Sequence, residues 1–109
     1  MIISGGENVY CAEVERILLE HPAVGEAAVV GLDDPTWGER VTAVVVAVPG
    51  ATVDPEEVIG FCRDRLAHYK CPRRVDVVDE LPRNPMGKVQ KFRLVELLTG
   101  AAAPAPADR

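Results

Sequence analysis

A small mixed α+β domain, with a short central sheet flanked by helices, is the fold class this sequence predicts. Three observations predict it. At 109 residues and 48% hydrophobic, the chain carries apolar mass for a single core. Helical stripes and Val/Ala runs of strand type follow one another without a regular repeat. Gly- and Pro-rich pairs punctuate the boundaries between them.

Taken in order, Met1-Ile2-Ile3-Ser4 reads as a short strand ending at Gly5-Gly6. Cys11 to Glu20 reads as a helix with Val14, Ile17 and Leu18 on one face, stopped by His21-Pro22. Val24 to Leu32 is a strand closed by Asp33-Asp34-Pro35, and Arg40 to Val48 a buried strand turning at Pro49-Gly50. A second helix starts where Asp54 caps, Pro55 takes the first position and Glu57 completes a capping-box spacing, with Val58, Phe61, Cys62 and Leu66 facing inward. Arg73 to Asp79 alternates as a strand with Val75 and Val77 on one side. Leu81 to Gly87 is a loop, and Phe92 to Leu98 a short terminal helix. One domain is expected over 1–99, and the run AAAPAPADR within 100–109 is expected to be a disordered tail.

Composition narrows the function. No apolar run reaches the roughly 18 residues of a membrane span, and nothing at the N-terminus resembles a signal peptide. Cys11, Cys62 and Cys71 form no CxxC pair, which suits reduced thiols in the cytoplasm. The net charge of −5 is uneven: residues 63–93 hold nine bases against four acids. That basic stretch suggests an anionic ligand, while the acidic total and the lack of an aromatic ladder argue against nucleic acid. No metal-ligand spacing is present. His21 and His68 stand alone at helix ends, and nothing orients a base for a Cys71–His68 pair.

Three loops carry chemical interest. Ser4-Gly5-Gly6-Glu7-Asn8 lets the backbone approach something narrow, or is simply a tight turn. Asp33-Asp34-Pro35-Thr36-Trp37-Gly38-Glu39 holds the only tryptophan, either a packing plug or a flat surface for a purine. Leu81-Pro82-Arg83-Asn84-Pro85-Met86-Gly87-Lys88 ends in a lysine on a proline-stiffened loop, suited to a phosphate or carboxylate, or merely solvated.

Together the motifs MIISGGENVY-x-AEVE, GLDDPTWGERV, YK-x-P and LPRNPMGK resemble the C-terminal domain of the adenylate-forming enzymes, in the acyl- or aryl-CoA ligase branch, fatty-acyl and benzoate types included. The resemblance runs from Met1 to about Leu98. It implies a lid domain of an enzyme that uses ATP, Mg²⁺ and CoA to turn a carboxylate into an acyl-CoA by way of an acyl-adenylate. None of these is expected to bind tightly to the lid alone. Lys88 matches the adenylation lysine, where a mobile cation stabilises charge building at the α-phosphorus. Gly5 and Gly6 match the pantetheine tunnel, Trp37 a position near the CoA nucleotide, and Tyr69, Lys70 and Arg73 the segment meeting its adenine and phosphates. Cys11 stands where the family has proline, and Cys71 where some relatives have a basic phosphate ligand. The expected partner is the large ATP- and acyl-binding domain, which the family carries upstream. Without it the lid should not adenylate. A free-standing CoA- or partner-binding module, or a ligase loading a carrier-protein phosphopantetheine, are the alternatives.

Overall fold

The chain is described from a computed structural model, which covers residues 1–36 and 38–99. Strands β1 (Ile2–Ser4), β2 (Glu7–Val9), β3 (Val24–Asp34), β4 (Gly38–Ala47) and β5 (Arg74–Val77) join one sheet with helices α1 (Cys11–Leu19), α2 (Pro55–Arg63) and α3 (Lys91–Thr99). The sheet runs β2-β1-β4-β3, with β5 also alongside β4. All pairs are antiparallel except β4–β5, which is parallel because α2 carries the chain back between them.

The long β3–β4 ribbon is buried on both faces, and side chains alternate between two layers. Val29, Val41, Ala43 and Val45 meet Val14, Leu18, Val58 and Cys62 beneath α1 and α2. Ala28, Val30, Leu32 and Val44 meet Leu81 and Leu94 beneath α3. This two-sided burial explains why Arg40–Val48 reads as a near-continuous Val/Ala run and Val24–Leu32 as a strand rich in Val and Ala.

Several expectations shift. Gly5-Gly6 does not lead straight into a helix: it is the two-residue turn of a hairpin, with β2 inserted before α1. Both glycines hold positive φ, 59° and 83°, as a primed hairpin turn requires. Strand β3 continues through Asp33 and Asp34, because β4 starts early enough for Asp34 to face Gly38. Asp54 does cap α2, accepting from the Glu56 N–H at 3.0 Å. Glu57 does not close a capping box, because its carboxylate meets buried His21 at 3.1 Å instead. Ile59 is buried in α2, whereas Phe61 and Leu66 are only half-buried. Phe61 lies against the edge of His21 and under the Arg65 guanidinium. Strand β5 is shorter than expected, and Val77 is exposed at its end. The expected tail and Trp37 lie outside the described residues.

Candidate functional site

Lys88 sits on a loop whose rigidity comes from Asn84 more than from its prolines. The Asn84 Oδ1 accepts from the N–H groups of both Met86 and Lys88 at 2.9 Å. Its own N–H donates to the Lys88 carbonyl, and the Gly87 N–H donates to the Asn84 carbonyl, at 2.9 and 2.8 Å. Gly87 holds φ 85°, which a side chain would resist. Arg83 locks the loop from outside, donating to the Gly87 carbonyl at 2.8 Å and pairing with Glu26 at 2.6 Å. The result is a fixed backbone that presents a free ammonium: Lys88 is exposed and makes no ion pair among the described residues.

The glycine hairpin is built differently. Buried Ile2 and Val9 anchor it in the α1/α2 layer, and one residue pair, Ser4–Gly38, joins it to β4. Among the described residues, a side chain added at Gly6 would meet nothing within 4 Å, so they leave that side of the turn open. Strand β2 packs against the 3₁₀ turn His68–Lys70, which brings Tyr69 and Lys70 beside the hairpin.

These two regions are far apart. The lysine loop is tethered at Glu26 and flanked by Leu81 and Val89, which pack in the α3 layer. The hairpin is tethered at Gly38, opposite Asp34, in the other layer. Eight residue steps along β3 take Glu26 to Asp34, roughly 27 Å of strand at about 3.4 Å per step.

A family model for the AMP-binding enzyme C-terminal domain matches residues 13–88. The chain belongs to the AMP-binding enzyme C-terminal domain family. It is 52% identical over 94 residues to 2-succinylbenzoate–CoA ligase of Bacillus licheniformis, covering 86% of this chain and 19% of that protein. It is 46% identical to 4-chlorobenzoate–CoA ligase of a Pseudomonas species, covering 98% of this chain and 21% of the relative. Among solved structures, ATP-bound MatB from Rhodopseudomonas palustris superposes with a TM-score of 0.86 at 45% identity, over 91% of this chain and 20% of that one. The chain therefore spans about a fifth of the length of the relatives it matches.

Within this AMP-binding C-terminal domain, the basic stretch forms a cleft and not a continuous patch. Arg63, His68, Cys71 and Arg73, together with Glu56, line a hollow of about 200 Å³ between α2 and β5. Sequence did not single out Arg63 and read His68 as standing alone; the packing of α2 against β5 brings Arg63 to Arg73, and His68 lines the same hollow. Lys70 is committed elsewhere: its ammonium lies 3.0 Å from the Glu13 carboxylate, tying the turn to α1. That hydrogen bond raises its pKa above the ordinary lysine value. Tyr69 stands partly exposed beside it, its ring centre 5.8 Å from the Lys70 ammonium.

Cys71 is no nucleophile. Its thiol is buried, donates to the Ala67 carbonyl at 3.5 Å, and is pushed up in pKa by burial. Cys62, fully buried nearby, is pushed up to about 11 by burial and then by Cys71. His21 is a structural histidine: its Nδ1 accepts from the Ala23 N–H and its Nε2 meets Glu57, each at 3.1 Å. Among the described residues no group of three or more His, Cys, Asp or Glu is placed to hold a metal ion. Nor is any helix long and apolar enough to cross a membrane.

Proposed function

We propose that this chain is the C-terminal lid of an ATP-dependent acyl- or aryl-CoA ligase and serves two half-reactions from opposite ends. The observation that carries the reading is the separation of the free Lys88 ammonium from the Gly5-Gly6 turn, in different layers and at opposite ends of β3. A domain holding both cannot present them to one reaction centre in a single orientation. It must turn between two.

In the first half-reaction, ATP supplies the adenylyl group: a carboxylate oxygen bonds to the α-phosphorus and pyrophosphate leaves. Lys88 brings its charge to the oxygens where negative charge accumulates, on a loop already fixed by Asn84 and Arg83. In the second, the thiol of CoA attacks the acyl carbonyl, its proton passes to solvent, and AMP leaves. Gly5 and Gly6 would border the pantetheine arm, with Trp37 and Tyr69 near the nucleotide. Arg73, joined by Arg63 and His68 in the cleft, would meet its phosphates in place of the base that some relatives carry at Cys71. Lys70 would orient the Tyr69 turn through Glu13. The large ATP- and acyl-binding domain would be the partner and would set the acyl group, aryl or fatty. Three free cysteines accord with a cytoplasmic setting.

The test is Lys88→Ala in the ligase that carries this domain. Acyl-adenylate formation, read by pyrophosphate exchange, should fall at least about 100-fold, while thioester formation from supplied acyl-adenylate stays near normal. Equal loss in both would sink the role of Lys88.

A further inference from the structure

Ile3 carries a polar group that its own hairpin cannot satisfy. In a two-residue hairpin the residues flanking the turn, here Ser4 and Glu7, exchange ladder hydrogen bonds. The next pair, Ile3 and Asn8, turns its N–H and C=O groups outward. On that side lies the start of β4, but the backbone ladder stops after the single pair Ser4–Gly38. A side chain continues it: the Glu39 Oε1 accepts from the Ile3 N–H at 2.9 Å.

The fold makes room for that carboxylate. Glu39 faces across the ribbon toward Gly31, where an added Cβ would lie 3.2 Å from both the Glu39 carboxyl carbon and its second oxygen. The same Cβ would lie 3.2 Å from Ile2 Cγ1, so Gly31 leaves space for hairpin and carboxylate together. Gly38, with φ 85°, turns β4 so that its first residues run beside Ile3, whose carbonyl lies 3.7 Å from the position of an added Cβ there.

We infer that Glu39 is a positioning residue for the acceptor half-reaction, holding the Gly5-Gly6 turn in place through the Ile3 N–H, with Gly31 as the space it requires. Glu39 also ends the segment that begins at Asp33 and contains Trp37. Its carboxylate therefore links two stretches of chain, 36 residues apart, that the proposed function assigns to one acceptor. Glu39 touches no reacting atom. The role rests on the reading of Gly5-Gly6 as the pantetheine turn, so the experiment separates the two.

In the full ligase, Glu39→Ala, Glu39→Gln and Gly6→Leu are each assayed for pyrophosphate exchange and for thioester formation from supplied acyl-adenylate. In the Glu39→Ala ligase, thioester formation at subsaturating CoA should fall about ten-fold, the shift expected from losing one hydrogen bond to a charged acceptor, with adenylation kept. Glu39→Gln retains an acceptor oxygen and should recover most of the rate. Amide hydrogen exchange adds a readout independent of catalysis: Ile3 should exchange faster in the Ala variant and near the wild-type rate in the Gln variant. Should Glu39→Ala leave both half-reactions unchanged, or slow both alike, while Gly6→Leu still blocks thioester formation, the positioning role is overturned and the turn keeps its assignment. Should Gly6→Leu leave thioester formation intact, the assignment of the turn fails, and Glu39 with it.

Discussion

The lysine loop and the glycine hairpin are both exposed turns with positive-φ glycine, yet they are held in opposite ways. Around Lys88 the constraint is polar and mostly local: Asn84 and Arg83 bond to backbone groups within four residues of themselves, with one distant tie from Arg83 to Glu26. Around Gly5-Gly6 it is remote: burial of Ile2 and Val9, one backbone pair to Gly38 and one carboxylate from Glu39. The first arrangement fixes a backbone and leaves a long charged side chain free to reach. The second leaves a bare backbone open on its outer face and anchors it from behind. The roles proposed for them match: a cation that would enter another domain suits the first design, and a passage that would stay narrow suits the second.

The largest expected effect that could break this contrast is at Gly6. Since no atom of the described residues lies within 4 Å of a Cβ there, Gly6→Leu clashes with none of them. It carries only the strain of a side chain at φ 83°, about 1 kcal/mol. The domain should fold, and thioester formation should fall about 100-fold in a stopped assay from acyl-adenylate. A rate within two-fold of normal would remove the turn from the acceptor path. Next comes Asn84→Ala, which removes the acceptor for two N–H groups and leaves the ammonium intact. Adenylation should drop about ten-fold and thioester formation should hold, at a cost of about 1 kcal/mol in stability by urea unfolding. Unchanged adenylation would mean that a free lysine suffices without a fixed loop.

The smallest effect sharpens the contrast between the layers. Cys62 lies in the layer that anchors the hairpin, and the α3 layer holds no cysteine among its described core residues. Its pKa is about 11 folded against 9.0 for a free thiol. Between those values the unfolded chain loses its proton and the folded chain keeps it, so stability falls as pH rises. From pH 8 to pH 10.5 the loss attributable to Cys62 should be about 2 kcal/mol by denaturant midpoint. Cys62→Val should flatten that slope, and a slope unchanged in the variant would assign the alkaline loss elsewhere.

How much of this was legible depends on the distance over which each feature is built. The start of α2 was readable because Asp54 and Pro55 act on their immediate neighbours. The ribbon was readable because two-sided burial fills both strands with Val and Ala. Strand β2 was not, since Glu7-Asn8-Val9 is three residues with only one buried and shows no alternation to count. The diversion of Glu57 to His21, the Glu39–Ile3 bond and the Arg63–His68–Arg73 cleft all join residues distant in sequence or separated by a turn, so spacing carries no trace of them. Asn84 is the instructive intermediate. Its offsets of two and four from Met86 and Lys88 are an Asx-turn pattern that sequence contains, though attention to the prolines hides it.

The central claim is that one domain serves two half-reactions from opposite ends. Its most direct test crosses Lys88→Ala and Gly6→Leu in the same ligase, each measured for pyrophosphate exchange and for thioester formation from supplied acyl-adenylate. The account predicts a crossed pattern, each variant losing about 100-fold in its own half-reaction and little in the other. Parallel losses in both half-reactions for either variant would contradict it.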